Sequence, residues 1–196
     1  MNLSIVSTLY KSEENCIKFV ELILKESNKL FEKFELILVD DGSPDMSVEL
    51  ITKNFKGCKE INIVQLSRNF GHHHALMAGI SLAKGDLIFL IDSDLEESPY
   101  LIHEFYKTFL NNKCDVVYGY QDLRKGGKKE KIFGILFYKI FNFLSTLNLK
   151  NNICVVRLMT KQYVQNLLRV RDKALFLAGA WEIIGFKQVG IKITKT

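Results

Sequence analysis

Two short apolar runs in this chain each end in paired carboxylates, and that pairing narrows the folds open to it. Leu36-Ile37-Leu38-Val39 runs into Asp40-Asp41-Gly42-Ser43-Pro44-Asp45, and Leu87-Ile88-Phe89-Leu90-Ile91 runs into Asp92-Ser93-Asp94. Apolar runs of this length, bounded by turn formers, read as strands buried on both faces, the kind found in parallel sheets covered by crossover helices. If the two strands are neighbours, Asp40, Asp41, Asp92 and Asp94 meet at the carboxyl edge of the sheet, where open α/β folds bind ligands. Carboxylates gathered without a partner repel one another. The cluster makes chemical sense if it holds a hard cation and hydrogen-bonds the ribose and base of a nucleotide. Oxygen ligands suit Mg²⁺ or Mn²⁺, ions that commonly hold phosphates as well. From Asp92-Ser93-Asp94 alone an ordinary acidic turn is the better reading; the second acidic strand end favours a site.

The chain alternates strand and helix around these runs. Leu3 to Leu9, Glu35 to Val39, Ile61 to Leu66, Asp86 to Ile91 and Asp115 to Tyr118 are expected strands. Helices are expected after Ser12 as cap with Glu13 and Glu14 in the first turn, over Ser47–Phe55 and Gly71–Lys84, and from Pro99 to Asn111. Ala75, Ala78 and Gly79 are small enough for close packing of the third helix on the sheet. This order predicts an α/β fold, Rossmann-like, with a mainly parallel sheet and helices on both faces. At 196 residues, with 47% hydrophobic and 25% charged, the chain suits one domain with a sizeable core.

The ordered set Val39-Asp40-Asp41-Gly42-Ser43-Pro44-Asp45, Arg68-Asn69-Phe70-Gly71, Ala78-Gly79, Gly85-Asp86 and Asp92-Ser93-Asp94-Leu95-Glu96 resembles family 2 glycosyltransferases, in the branch of the polyprenyl-phosphate sugar synthases. The resemblance covers residues 3 to about 120 well and the remainder more loosely. It implies a GT-A fold and inverting transfer from a nucleotide diphosphate sugar. Residues 1–120 would form the nucleotide-sugar-binding half and 121–196 the acceptor half of a single catalytic domain truncated at its C-terminal end. By the same resemblance Asp94, with Asp92, holds Mg²⁺ or Mn²⁺. Leu9, Glu13, Asp40, Asp41, Arg68, Gly71, Asp92 and Ser93 contact the donor, and Asp92, Asp94, Glu96 and Glu182 are the catalytic candidates. Glu96 stands where relatives often carry Gln. Arg124 and Arg157 are candidates for an acceptor phosphate, although Gln121 occupies a position where relatives often have a further arginine. Val155-Val156-Arg157-Leu158 stands where they often read Asp-Phe-Arg-Leu. A phosphate nucleophile needs no base to ionise it, whereas a sugar hydroxyl usually does. If the acceptor is a hydroxyl, Glu96, Glu97, Asp122 or Glu182 must supply that base.

Two other readings stay open: a nucleotidyltransferase, and a binding module that keeps the fold without catalysis. The first usually carries a glycine-rich phosphate loop near the first strand, and Leu9 to Glu14 contains no glycine. His72, His73 and His74 invite a metal reading. Helical neighbours point about 100° apart, so three in a row cannot all reach one ion, and at most one is expected to face the cleft. Arg124, Lys125, Lys128, Lys129 and Lys131 crowd one segment ahead of the strongly apolar stretch Ile132 to Leu149. Lys139 and Asn142 interrupt that stretch, so a spanning helix is not read there. It is either a core helix or one lying in an anionic membrane interface. Nucleic acid is not expected, since no aromatic residues interleave with the basic run. The four cysteines form no metal-binding spacing and read as free thiols of a reducing compartment. No secretory leader is read at Met1 to Ser4, and the expected location is cytoplasmic, at the inner face of the membrane. The acceptor is expected to be lipid-linked or a cell-surface glycan.

Overall fold

The computed structural model describes residues 1–121, 152–170 and 177–195. Among them seven strands form one sheet: β1 (Leu3–Leu9), β2 (Phe34–Asp40), β3 (Ile61–Gln65), β4 (Leu87–Leu90), β5 (Val116–Tyr120), β6 (Ile153–Thr160) and β7 (Gln188–Lys192). Their order is β3-β2-β1-β4-β6-β5-β7. The helices are α1 (Cys16–Asn28), α2 (Ser47–Asn54), α3 (His72–Leu82), α4 (Leu101–Asn112), α5 (Lys161–Leu167) and α6 (Leu177–Ile183). β1 runs parallel to β2 and β4, β2 to β3, and β5 to β7; β6 alone is antiparallel, to both β4 and β5. The mainly parallel α/β expectation therefore holds.

Both faces of the sheet are covered. On one side Phe19 and Ile23 of α1, Ile51 of α2 and Phe105 of α4 pack on Ile5, Leu36, Leu38 and Phe89. On the other, Ala75 and Ile80 of α3, Tyr163 of α5 and Trp181 of α6 pack on Val6, Ile37, Val39 and Leu90. The alternation along β1 and β2 sends successive side chains to opposite cores, which is why these strands are buried along nearly all their length. Gly79 lets α3 approach closely: a Cβ there would lie 2.5 Å from Val6 Cγ1 and 2.8 Å from Val39 Cγ2.

Two local expectations change. The first helix begins at Cys16, with Asn15 at its cap position. Ser12 instead accepts the Tyr10 amide on its Oγ and the Asn15 and Cys16 amides on its carbonyl, forming a turn ahead of the helix. The fourth helix starts at Leu101, two residues after Pro99. Strand order matters most for function. β1 lies between β2 and β4, with Leu9 opposite Asp40 and Val6 opposite Leu90. The chain reverses direction across the sheet at this point, and a crevice opens outside the strands' carboxyl ends.

Candidate functional site

The two acidic strand ends come to this crevice, but their carboxylates do different work. Asp40 and Asp41 are both buried. Asp40 Oδ1 accepts the Ser43 amide at 2.8 Å and closes the turn after β2. Asp41 reaches across to the loop before α3, accepting the Phe70 amide at 2.7 Å and the Gly71 amide at 3.0 Å. That loop also presses on Gly42, whose φ is +66° and whose added Cβ would sit 2.7 Å from the Arg68 carbonyl carbon. Only glycine combines that backbone conformation with so close an approach.

The end of β4 is tied to β1 by Ser93, a buried residue whose Oγ donates to the Thr8 carbonyl at 2.8 Å and lies 3.3 Å from Ser12 Oγ. Asp94 is exposed, and its Oδ1 accepts the Glu96 amide at 2.9 Å. Leu95, in this turn, has a φ of +63°. Asp92 is half-buried, and its Oδ1 has no hydrogen-bond partner. Burial raises the Asp92 pKa, and the Asp94 charge adds to that, while His72 and Lys195 oppose it. Of the histidine run, His72 reaches the end of β4: its Nε2 lies 3.5 Å from Asp92 Oδ1, and its Nδ1 3.1 Å from Thr8 Oγ1.

The donor set fits a hard divalent cation in a limited sense. No group of three or more His, Cys, Asp or Glu among the described residues converges to bind a metal by protein alone. Ions of the Mg²⁺ type are commonly held by one or two carboxylates, with water and substrate phosphates filling the shell. Asp92 and Asp94 supply such a pair, and Asp92 Oδ1, which has His72 at 3.5 Å but no hydrogen bond, suits a ligand's position.

Beside Asp92 opens a cavity of about 320 Å³, also lined by Glu96, Gln121, residues 152–155 and Lys195. It forms where the carboxyl ends of β4, β5 and β7 meet the amino end of antiparallel β6. Glu97 lies fully buried beneath it, 3.4 Å from Lys195 Nζ. Burial, followed by the Asp92 charge, pushes the Glu97 pKa up to about 7. Lys195 also meets Glu96 at 3.2 Å. Partial burial works against the Lys195 charge, but Glu97 and then Glu96 outweigh it and raise its pKa.

The remaining expected residues fall into three groups. Glu13 and Arg68 are exposed at the crevice side; Glu13 Oε2 accepts the Met46 amide at 3.4 Å, and Arg68 stacks on Phe70 with its Cζ 4.1 Å from the ring centroid. Leu9, Arg157 and Glu182 are placed differently from expectation. The Leu9 side chain is sealed in the core, and its carbonyl accepts the Asp41 amide, which leaves any donor contact to the main chain. Arg157 is also sealed: alternation along β6 turns it toward α6, where it lies over the Trp181 ring and donates to the carbonyls of Val155 and Cys154. Desolvation pulls its pKa down to about 9. An acceptor phosphate does not reach a guanidinium buried in this way. Glu182 is half-buried on α6 beside Tyr163 and does not line the cavity. Arg124, Asp122, the basic run to Lys131 and the apolar stretch 132–149 lie outside the described residues. Among the described residues no helix is long and apolar enough to cross a membrane.

Glu97 and Lys195 carry features that the residue patterns did not single out. Glu97 stood only among several candidates for a base, and Lys195 lies in no motif; their meeting depends on β7, which the sequence did not reveal.

The Glycosyl transferase family 2 model matches residues 4–168. A Mycobacterium tuberculosis protein named as a glycosyltransferase is 40% identical over 195 residues, covering 100% of this chain and 57% of its own length. The undecaprenyl-phosphate 4-deoxy-4-formamido-L-arabinose transferase of Photorhabdus laumondii is 31% identical, covering 89% of this chain and 54% of its own. Staphylococcus aureus TarS, solved with UDP-GlcNAc, superposes with a TM-score of 0.68 at 14% identity over 100% of this chain and 59% of its own. The Pyrobaculum calidifontis mannosyltransferase PcManGT, solved with GDP-Man and Mn²⁺, gives 0.66 at 12% identity over 97% of this chain and 54% of its own. These two structures share the GT-A fold with this sheet. The chain spans somewhat more than half the length of the relatives it matches. On the extent of the family match and the identity to its relatives, the chain belongs to glycosyl transferase family 2.

Proposed function

We propose that this chain is the catalytic domain of an inverting, metal-dependent glycosyltransferase. It would move a sugar from a nucleotide diphosphate sugar to a lipid-linked or cell-surface glycan acceptor. The observation that carries this reading is the meeting of Asp92 and Asp94 with the acidic end of β2 at one crevice, opening into the cavity beside Glu96 and Lys195. Asp40 would orient the ribose and base from the end of β2. Asp41 fixes the loop that carries Arg68 and Gly71 and so shapes the opposite wall. Asp92 and Asp94 would hold Mg²⁺ or Mn²⁺, which supplies positive charge for the departing diphosphate. The acceptor oxygen, entering from the cavity, would bond to the anomeric carbon as the bond to the diphosphate breaks, and positioning of the two supplies much of the rate.

The name of the Photorhabdus relative supports a polyprenyl phosphate as a narrower form of the acceptor. A phosphate oxygen is already ionised and needs no base to attack. In this reading the basic run Arg124–Lys131 serves an anionic membrane surface at the cytoplasmic face.

The test is the Mn²⁺-dependent consumption of labelled UDP-, GDP- and dTDP-sugars, with and without a polyprenyl phosphate. One donor is expected to be consumed, EDTA to stop the reaction, and Asp94→Ala to slow it about a hundredfold or more. A rate that survives EDTA overturns the metal role. No consumption of any donor under any of these conditions overturns the reading.

A further inference from the structure

The cavity beside Asp92 holds one cation among its described lining residues, Lys195, and that cation is fixed from below. Its Nζ lies 3.2 Å from Glu96 Oε2 and 3.4 Å from Glu97 Oε1. The two partners are unlike. The Glu96 side chain is 50% exposed, whereas that of Glu97 is 0% exposed. Neither Glu97 oxygen has a hydrogen bond of good geometry. A carboxyl group left this bare in the interior is costly in either protonation state, so its placement points to what it faces. What it faces is an ammonium at the wall of a polar cavity, brought there by the segment after β7 from the far end of the sheet order. An ammonium has three donors. Glu96 accepts from one of them and Glu97 faces the ammonium at 3.4 Å as an ion pair, so donor capacity remains for an incoming oxygen.

We propose that Lys195 is a phosphate-binding residue of this cleft and Glu97 its positioning residue. The inference rests on the reading of the crevice as a nucleotide-sugar site and names a contact within it. Lysine binds phosphate as a point charge, and a cavity rich in carboxylates needs such a charge before a second anion can enter. The phosphate oxygen comes from one of two sources, the donor's diphosphate or a phosphate on the acceptor. Glu97, fixed in the interior 3.4 Å from Nζ, keeps the ammonium at the wall.

The experiment titrates the protein by calorimetry with UDP, GDP and dTDP in Mn²⁺. It then titrates geranyl phosphate into the nucleotide-saturated protein. Wild type is compared with Lys195→Gln, Lys195→Arg, Glu97→Gln and the neutral pair Lys195→Met with Glu97→Gln, which leaves no buried charge unpaired. Lys195→Gln and the neutral pair are expected to weaken one phosphate ligand about tenfold, the size of one charge-assisted contact, and Lys195→Arg to restore most of the loss. Glu97→Gln is expected to weaken the same ligand by less while melting within a few degrees of wild type. A loss confined to the nucleoside diphosphate assigns Lys195 to the donor; a loss confined to geranyl phosphate assigns it to the acceptor. If wild type binds a diphosphate and every variant binds both ligands as well as wild type, Lys195 is not a phosphate residue, while the nucleotide-sugar reading stands. If wild type binds no diphosphate in Mn²⁺, both fail.

Discussion

Asp41 and Asp94 carry the same side chain and should answer mutation in opposite ways. Asp41 is 2% exposed and holds two backbone amides of the loop before α3. Truncating it strands both N–H groups and frees the loop, so Asp41→Ala is expected to lower stability by about 2–4 kcal/mol in urea unfolding. Asp94 is exposed and serves its own turn. Asp94→Ala should stay within about 0.5 kcal/mol of wild type, with its effect confined to ligand. Equal losses in the two variants would show that the carboxylates are not divided between scaffold and ligand. The sequence made the residue types legible at both strand ends, because turn residues after apolar runs are a local signal. It did not show which carboxylate clamps a loop, since that depends on where Phe70 and Gly71 come to lie, some thirty positions away in the chain. Arg157 is the counterpart case. An arginine in a family-like motif reads as a ligand contact until the pleat of β6 turns it under Trp181.

Among the elements, α3 shows how tightly the site is tied to the sheet. Its N-terminus brings His72 to Asp92, and its middle rests on β1 and β2 through Gly79. Replacing Gly79 with alanine gains helix propensity of roughly 1 kcal/mol but drives a methyl into Val6 and Val39, and overpacking costs about 1–3 kcal/mol. Gly79→Ala is therefore expected to destabilise by about 1 kcal/mol. Its cost should combine less than additively with that of Val6→Ala, which clears the space. A stabilised Gly79→Ala protein would mean that α3 rides higher on the sheet than described. The first four strands were legible because each mostly apolar run is followed by a helix of ordinary length, and β1, β2 and β4 are buried along nearly all their length. β6 and β7 were not. β6 carries Arg157 in the midst of its apolar residues, and Gln188-Val189-Gly190-Ile191-Lys192 is short and mixed. Their places come from pairing across the sheet, which no local pattern encodes.

At the scale of the whole molecule the crevice is an electrostatic compromise, with Asp92, Asp94, Glu96 and Glu97 gathered around Lys195 and His72. Glu97 holds its proton up to about pH 7 in the folded chain, against 4.5 in the unfolded one. Between these values the unfolded state releases a proton that the folded state keeps, so stability is greatest at the acid end of the window and declines as pH rises to about 7. The decline from this group is at most about 3 kcal/mol. Asp92, raised by burial, acts in the same direction. Glu26, lowered chiefly by its hydrogen bond from Lys29, loses its contribution only as pH falls below 4.5, outside this window. Urea unfolding between pH 4.5 and 7.5 should show the decline, and Glu97→Gln should remove most of it; a flat wild-type profile would mean that Glu97 is solvated. The central claim is that this acidic crevice binds a nucleotide diphosphate through a divalent cation. The most direct measurement is calorimetric titration of UDP, GDP and dTDP into the protein with Mn²⁺ or with EDTA, repeated on Asp92→Asn and Asp94→Asn. The account predicts that one diphosphate binds in Mn²⁺, weakens at least about tenfold in EDTA, and weakens comparably in both variants. Binding of equal strength in Mn²⁺, in EDTA and in the variants, or no binding at all, would contradict it.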